Sequence, residues 1–110
     1  MSEYGYAYEK LLGAVEIMAT GKGSRAERLA RATHQYLFKI RHPKTNRLPP
    51  DLAASLTSVV NAMTTSKPTN EWENAIDLTA SLMPWQRAES LSRQVFSLFL
   101  SVATLRSQSQ

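Results

Sequence analysis

Few residues in this chain have types and spacing that could support catalysis or metal binding. The sequence contains two histidines, His34 and His42, and no cysteine. A nucleophilic serine needs a neighbouring base and an orienting acid, and no serine stands in the sharp glycine-flanked turn that exposes such a nucleophile. No carboxylates lie beside the histidines at the spacing of a recognised metal-ligand motif. The sequence therefore predicts a chain that is not an enzyme and that binds no metal and no cofactor.

Positive charge is concentrated in one segment of the chain. The formal net charge is +4, but residues 22–47 hold eight lysines and arginines against a single acidic residue, Glu27, so that segment carries +7 and the rest carries −3. Such separation favours an acidic partner, which is nucleic acid, an acidic protein surface or the acidic surface of a neighbouring copy. The alternative is a solvated basic helix whose charge is balanced by the chain's own acidic residues. Both interpretations stay open at the level of the sequence.

Hydrophobic periodicity places these residues on helices. Apolar residues recur at helical spacing through five segments, and the alternation typical of strands persists nowhere for long. The predicted helices span about residues 3–19, 24–41, 50–65, 70–82 and 84–105. We expect residues 1–110 to form a single helical domain of the all-α class, a compact bundle of four to five helices.

Local signals mark the ends of several of these helices. Ser24 and Glu27 have the spacing of a capping box, in which each side chain satisfies a backbone N–H that the helix leaves free. Pro43 predicts the end of the second helix, because proline disfavours a helical conformation at the residue before it. Thr69 or Asn70 is expected to cap the fourth helix.

The second helix carries a candidate binding surface on its polar side. With a turn of about 100° per residue, Phe38 falls opposite Leu29 and away from the buried stripe of the helix. An aromatic side chain among cations is typical of binding hot spots, and the same pattern fits a central helix that packs on two sides. Tyr36 is a second candidate anchor. The predicted partner-binding residues are Arg25, Arg28, Arg31, His34, Phe38, Arg41, Lys44 and Arg47.

The fifth helix is apolar over more of its circumference than one buried face requires. Its main stripe is widened by further apolar residues, which together are Leu91, Val95, Phe96, Leu98, Phe99, Leu100, Val102 and Ala103. A helix of this kind lies either at the centre of a bundle or in an oligomer interface. The sequence therefore leaves open a homodimer through Phe96 and Leu100.

Two stretches of the sequence resemble a pattern found elsewhere. The run Gly21-Lys-Gly-Ser-Arg-Ala-Glu-Arg-Leu-Ala-Arg-Ala32, followed by Leu48-Pro-Pro-Asp-Leu52, is similar to a pattern in small helical bacterial proteins of unassigned function. The resemblance covers about the first 65 residues. It implies an all-α fold and a bacterial or mobile-element origin, and it transfers no activity and no functional residue.

These observations predict a non-catalytic interaction protein. It would bind an acidic macromolecular partner through the basic face of the second helix, as a phage or mobile-element regulator or inhibitor of a host system would. One alternative is a sequence-tolerant nucleic-acid-binding protein that contacts phosphates, and another is a structural homodimer. Charge reversal at Arg28 and Arg31 is expected to abolish binding and to leave the helical content intact.

A cytoplasmic location is expected from two absences in the sequence. The first residues lack the basic start and apolar run of a signal peptide. No stretch has the roughly 20 apolar residues that a membrane-spanning helix needs, so no membrane partner is expected.

Overall fold

Every regular element in the described part of the chain is helical. The computed structural model describes residues 3–70 and 74–108, and no strand occurs among them. The elements are α1 Gly5–Thr20, α2 Arg25–Gln35, a 3-10 helix Leu37–Ile40, α3 Pro43–Asn46, α4 Pro50–Ala62, α5 Ala75–Ser81 and α6 Trp85–Gln108. The predicted all-α bundle is confirmed, and its radius of gyration of 13.8 Å is that of a compact chain of this length.

Helix α2 lies at the centre of the bundle. It contacts α1, α5 and α6, and α4 packs on α6. The large side chains that are fully buried between these helices include Leu11, Leu29, Leu37, Ile40, Leu56, Val59, Met63, Leu91, Val95 and Val102. Each contributes about 1.5–3 kcal/mol of transfer free energy. Two contacts show that helices α1 and α6 run antiparallel. Tyr8, near the start of α1, stacks on Phe99 and lies under Arg106 in the last turn of α6.

The start of α2 is the predicted capping box. The Ser24 hydroxyl accepts a hydrogen bond from the Glu27 N–H at 3.1 Å, and the Glu27 carboxylate accepts one from the Ser24 N–H at 3.3 Å. Gly23 precedes the cap with φ of 94°, a left-handed conformation that glycine adopts without a steric penalty. Gly23 and the capping box of Ser24 and Glu27 together set the conformation of the turn where it enters α2.

The end of α2 differs from the prediction. The helix ends at Gln35 rather than at Arg41, and Tyr36 leaves the helical region with φ of −132° before the chain continues as a 3-10 helix. The Tyr36 ring lies directly on α1 at Gly13, where an added Cβ would be 2.5 Å from the ring Cζ. This contact between α1 and the end of α2 is a tertiary interaction, so the hydrophobic periodicity that predicted a helix to residue 41 does not contain it.

The start of α5 also differs from the prediction. The cap is Asn74 instead of Thr69 or Asn70, and its side chain accepts a hydrogen bond from the Asp77 N–H at 2.8 Å. Residues 71–73, which the predicted fourth helix includes, lie outside the described part of the chain. Elsewhere, the predicted helix ends agree with the structure to within three residues.

Helix α6 is buried on one side and open on the other. Its stripe of Leu91, Val95, Leu98 and Val102 is buried, whereas Phe96 and Leu100 are about half exposed at 49% and 50%. No helix in residues 3–70 and 74–108 combines the length and the apolar character needed to cross a membrane.

Candidate interaction site

Two of the predicted site residues on α2 bind the chain's own backbone. Arg28 donates from Nη1 to the carbonyl oxygen of Met18 at 2.9 Å, and Arg31 donates from Nη2 to the carbonyl oxygen of Lys22 at 3.3 Å. The last carbonyls of a helix have no partner within the helix, and its C-terminus carries a partial negative charge. Arg28 and Arg31 therefore satisfy and neutralise the end of α1 and the turn that follows it.

The other two predicted residues on α2 pair with carboxylates. Arg25 Nη1 lies 3.7 Å from Glu89 Oε2 on α6, and His34 Nε2 lies 3.0 Å from Asp77 Oδ1 on α5. All four site residues of α2 thus make contacts within the chain. Arg28 and Arg31 are half-buried by these contacts, whereas Arg25 and His34 stay exposed.

The Asp77 carboxyl in the first turn of α5 makes a pH-sensitive contribution to stability. The hydrogen bond from the Asn74 side chain, together with His34, holds the pKa of the Asp77 carboxyl below its usual range against the opposing effect of burial. A depressed pKa in the folded state stabilises the fold above the unfolded-state pKa, and that stabilisation is lost as pH falls through the folded-state value.

Replacement Asp77→Asn is therefore expected to lower the free energy of unfolding near neutral pH only. The Asp77 side chain is 62% exposed, so we expect a loss of no more than about 0.5–1 kcal/mol. The difference from the wild type should shrink as pH falls through the lowered pKa of the Asp77 carboxyl, below the usual range for aspartate, because the wild-type carboxyl then takes up its proton. Urea unfolding of both proteins across this range measures it, and a constant difference down to the lowest pH would contradict the assignment.

The remaining predicted residues lie on the segment that follows α2. We call residues 38–47 the basic loop. At its start the Arg41 guanidinium lies 3.9 Å from the centroid of the Phe38 ring and donates to the Phe38 carbonyl oxygen. Phe38 is 37% exposed, so part of the ring reaches solvent while the arginine covers one face. The pair therefore places a charged group and an apolar group side by side on one surface.

A buried asparagine organises the rest of the basic loop. Asn46 is 1% exposed; its side-chain amide donates to the Ile40 carbonyl oxygen at 2.8 Å, and its side-chain oxygen accepts from the Leu48 N–H at 2.9 Å. Arg47 has φ of 56° and closes α3 by donating its N–H to the Pro43 carbonyl oxygen. The two ends of the loop are therefore tied together through one side chain.

Four cations of the basic loop have no carboxylate partner in the described part of the chain. These exposed residues are Lys39, Arg41, Lys44 and Arg47. Lys44 and Arg47 line an open cleft of about 840 Å³ whose other wall, at the start of α1, includes Glu3, Tyr6 and Glu9. The loop thus presents a basic surface that is bordered by two carboxylates.

The structure divides the eight predicted site residues into two groups. Arg25, Arg28, Arg31 and His34 hold α2 to its neighbours, and Phe38, Arg41, Lys44 and Arg47 stand on the basic loop. Lys39 and Asn46 were not among the site residues predicted from the sequence. An asparagine between a helix end and a proline pair is a recognisable turn signal, but only the buried Ile40 and Leu48 show what it bonds.

No group of three or more histidine, aspartate or glutamate side chains in residues 3–70 and 74–108 lies close enough to hold a metal ion. Comparison with known protein families, with curated proteins and with solved structures finds no match to this chain.

Proposed function

We propose that this chain is a non-catalytic interaction protein whose basic loop binds an acidic segment of a partner protein. The observation that supports this is the set of four exposed cations on the basic loop, which have no carboxylate partner among the described residues. The site residues of α2, by contrast, bind other groups of the same chain. Exposed charges of one sign that cluster on one part of a protein surface attract a partner of opposite charge and speed its association.

The internal contacts of the basic loop favour binding. Asn46 ties its ends, and Ile40 and Leu48 anchor it in the core. A surface that is already ordered loses little conformational entropy when it binds, so more of the interaction energy appears as affinity. The exposed part of the Phe38 ring adds an apolar contact beside the guanidinium of Arg41, a combination that is typical of binding hot spots.

An acidic protein segment suits this surface better than nucleic acid does. Glu3 and Glu9 stand across the cleft from Lys44 and Arg47. A phosphate backbone carries charge at every nucleotide, and it would bring some of that charge against the two carboxylates. A peptide can place its few carboxylates on the cations and an uncharged residue between them.

Charge reversal on the basic loop tests the proposal. The loop variant carries Arg41→Glu, Lys44→Glu and Arg47→Glu. The control variant carries Lys22→Glu, Lys67→Glu and Arg87→Glu, three exposed cations at other places with the same change in net charge. Each protein is immobilised and used to capture proteins from a host-cell lysate, with and without nuclease. We expect the wild type and the control to retain the same partner, and the loop variant to lose it by at least about tenfold.

Two outcomes would contradict the proposal. The first is a partner that the loop variant retains as well as the control does. The second is capture that disappears after nuclease treatment, together with binding of a DNA duplex or an RNA hairpin. A complex through four phosphates should weaken about 100-fold between about 50 and 200 mM salt, and that dependence would identify the chain as a nucleic-acid-binding protein.

A further inference from the structure

The open cleft beside the basic loop has two walls of opposite charge. Lys44 and Arg47 line one wall, and Glu3, Tyr6 and Glu9 line the other. All five side chains are exposed. No ion pair among the described residues joins the two walls. Each wall therefore keeps its charge available to a group that enters the cleft from outside.

The wall on the α1 side combines the groups that recognise a cation. We call Glu3, Tyr6 and Glu9 the acidic wall. Glu9 follows Tyr6 by three positions on α1, so the two side chains lie on the same face of the helix. The Tyr6 ring is 44% exposed, and the Glu9 carboxylate has no ion pair with any described residue. Carboxylates and the face of an aromatic ring both attract a positively charged group.

The Tyr6 ring is placed by a contact within the chain. Lys10 Nζ lies 5.3 Å from the centroid of the Tyr6 ring and 5.9 Å from that of the Tyr36 ring. A ring that is positioned before binding loses less conformational freedom when a ligand contacts it. Because Lys10 already lies over part of the ring, an incoming cation depends more on the carboxylates than on the ring. Glu9 is therefore the residue to test.

We propose that the partner segment carries a basic side chain, which the acidic wall binds while the basic loop binds the carboxylates of the same segment. This inference rests on the proposed function and adds that the segment contains both signs of charge. A guanidinium fits best, because it can pair with a carboxylate through two donors and also stack on an aromatic ring. A purely acidic segment would bring negative charge against Glu3 and Glu9, so the acidic wall selects against it.

Fluorescence anisotropy of labelled synthetic peptides tests this inference with the intact chain. The peptides contain two glutamates and one arginine, separated by one, two or three serines. Each has a matched peptide in which neutral citrulline replaces the arginine. General charge attraction favours the citrulline peptides, because they are more negative and the chain has a net charge of +4. We nevertheless expect at least one arginine peptide to bind about threefold more tightly than its citrulline match, as an exposed ion pair would produce.

Two variants locate this preference in the molecule. Glu9→Gln should remove it, so that the arginine and citrulline peptides bind equally well. Glu16→Gln is the matched control, because Glu16 is exposed on α1 outside the cleft and undergoes the same change in charge. It should keep the preference of the wild type, and circular dichroism should show equal helical content in both variants.

The outcomes separate this inference from the proposed function. Equal binding of the arginine and citrulline peptides by the wild type, a preference that persists in Glu9→Gln or is lost in Glu16→Gln, or no peptide binding up to about 1 mM would each overturn the inference. If the loop variant bound the peptides as tightly as the wild type does, the proposed function would fail as well. If the loop variant lost binding while the wild type bound both kinds of peptide equally, only the basic side chain of the segment would be ruled out.

Discussion

Replacement Asn46→Ala should lower the free energy of unfolding by about 2–4 kcal/mol, one of the largest single-residue effects expected in this chain outside the apolar core. The substitution leaves the Ile40 carbonyl without its donor and the Leu48 N–H without its acceptor, in a buried site. A buried polar group that loses its partner costs about 1–3 kcal/mol. Two such groups are affected, with partial compensation by water reaching the loop.

Urea unfolding and thermal melting measure this effect. For a chain of this length a loss of about 3 kcal/mol corresponds to a fall in Tm of about 10–15 °C. Thr45→Ala is the matched control, because Thr45 is the exposed neighbour of Asn46 on the same short helix, and its change should stay within about 0.5 kcal/mol. Equal stabilities for Asn46→Ala and Thr45→Ala would show that the side-chain amide does not hold the loop.

The same substitution connects stability to the proposed binding surface. If Asn46 orders the basic loop, its loss leaves the four exposed cations in place but on a loop with more conformations. Binding should then weaken even though no contacting side chain has changed, because the loop must be ordered when the partner binds. The proposed site therefore depends on a residue that makes no contact with the partner.

The helices that carry strong local signals could be predicted from the sequence alone. The capping box of Ser24 and Glu27 depends only on residues three positions apart, so its geometry follows from the sequence. Pro50 opens α4 for a similarly local reason. The all-α class follows from periodicity that persists through the whole chain.

The elements that were predicted wrongly depend on contacts between distant segments. Helix α2 ends at Gln35 where the Tyr36 ring settles on α1 at Gly13, and those residues lie on different helices. Asn74 caps α5 by accepting a hydrogen bond from the Asp77 N–H, and its side-chain amide donates to the Asp77 carboxylate. The same carboxylate also contacts His34 on α2. Tertiary packing sets the end of α2. The Asn74 cap is itself a local contact, but Thr69, Asn70 and Asn74 are all residue types that cap helices, so residue type alone does not single out Asn74.

The candidate site could be predicted only as a stretch of positive charge. The spacing of Arg25, Arg28 and Arg31 on one helix face is visible in the sequence, but the groups that lie opposite are not. The structure places the end of α1 against two of these arginines and Glu89 against the third. Carbonyls at a helix end need donors from outside the helix, and α2 supplies them because it is the neighbour that packs there.

Because the α2 cations bind other groups of the chain, charge reversal on α2 would change the stability of the fold as well as any binding of a partner. Arg28→Glu should lower the free energy of unfolding by about 2–4 kcal/mol. The partly buried hydrogen bond to the Met18 carbonyl is lost, which costs about 1.5–3 kcal/mol for a charged donor. The new carboxylate also stands at the negative end of the α1 dipole, which costs about 0.3–1 kcal/mol more. Urea unfolding measures the sum.

Lys44→Glu provides the comparison that separates a structural cation from a free one. It makes the same reversal of sign on the exposed basic loop, where the described residues provide no carboxylate partner, so stability should change by no more than about 0.5 kcal/mol. Loss of partner capture in Arg28→Glu would then be explained by a weakened junction between α1 and α2. Loss of capture in Lys44→Glu, at unchanged stability, would reflect the binding surface itself. If Arg28→Glu were as stable as Lys44→Glu, the arginine would not be holding α1, and the whole basic face of α2 would again be a candidate for the partner.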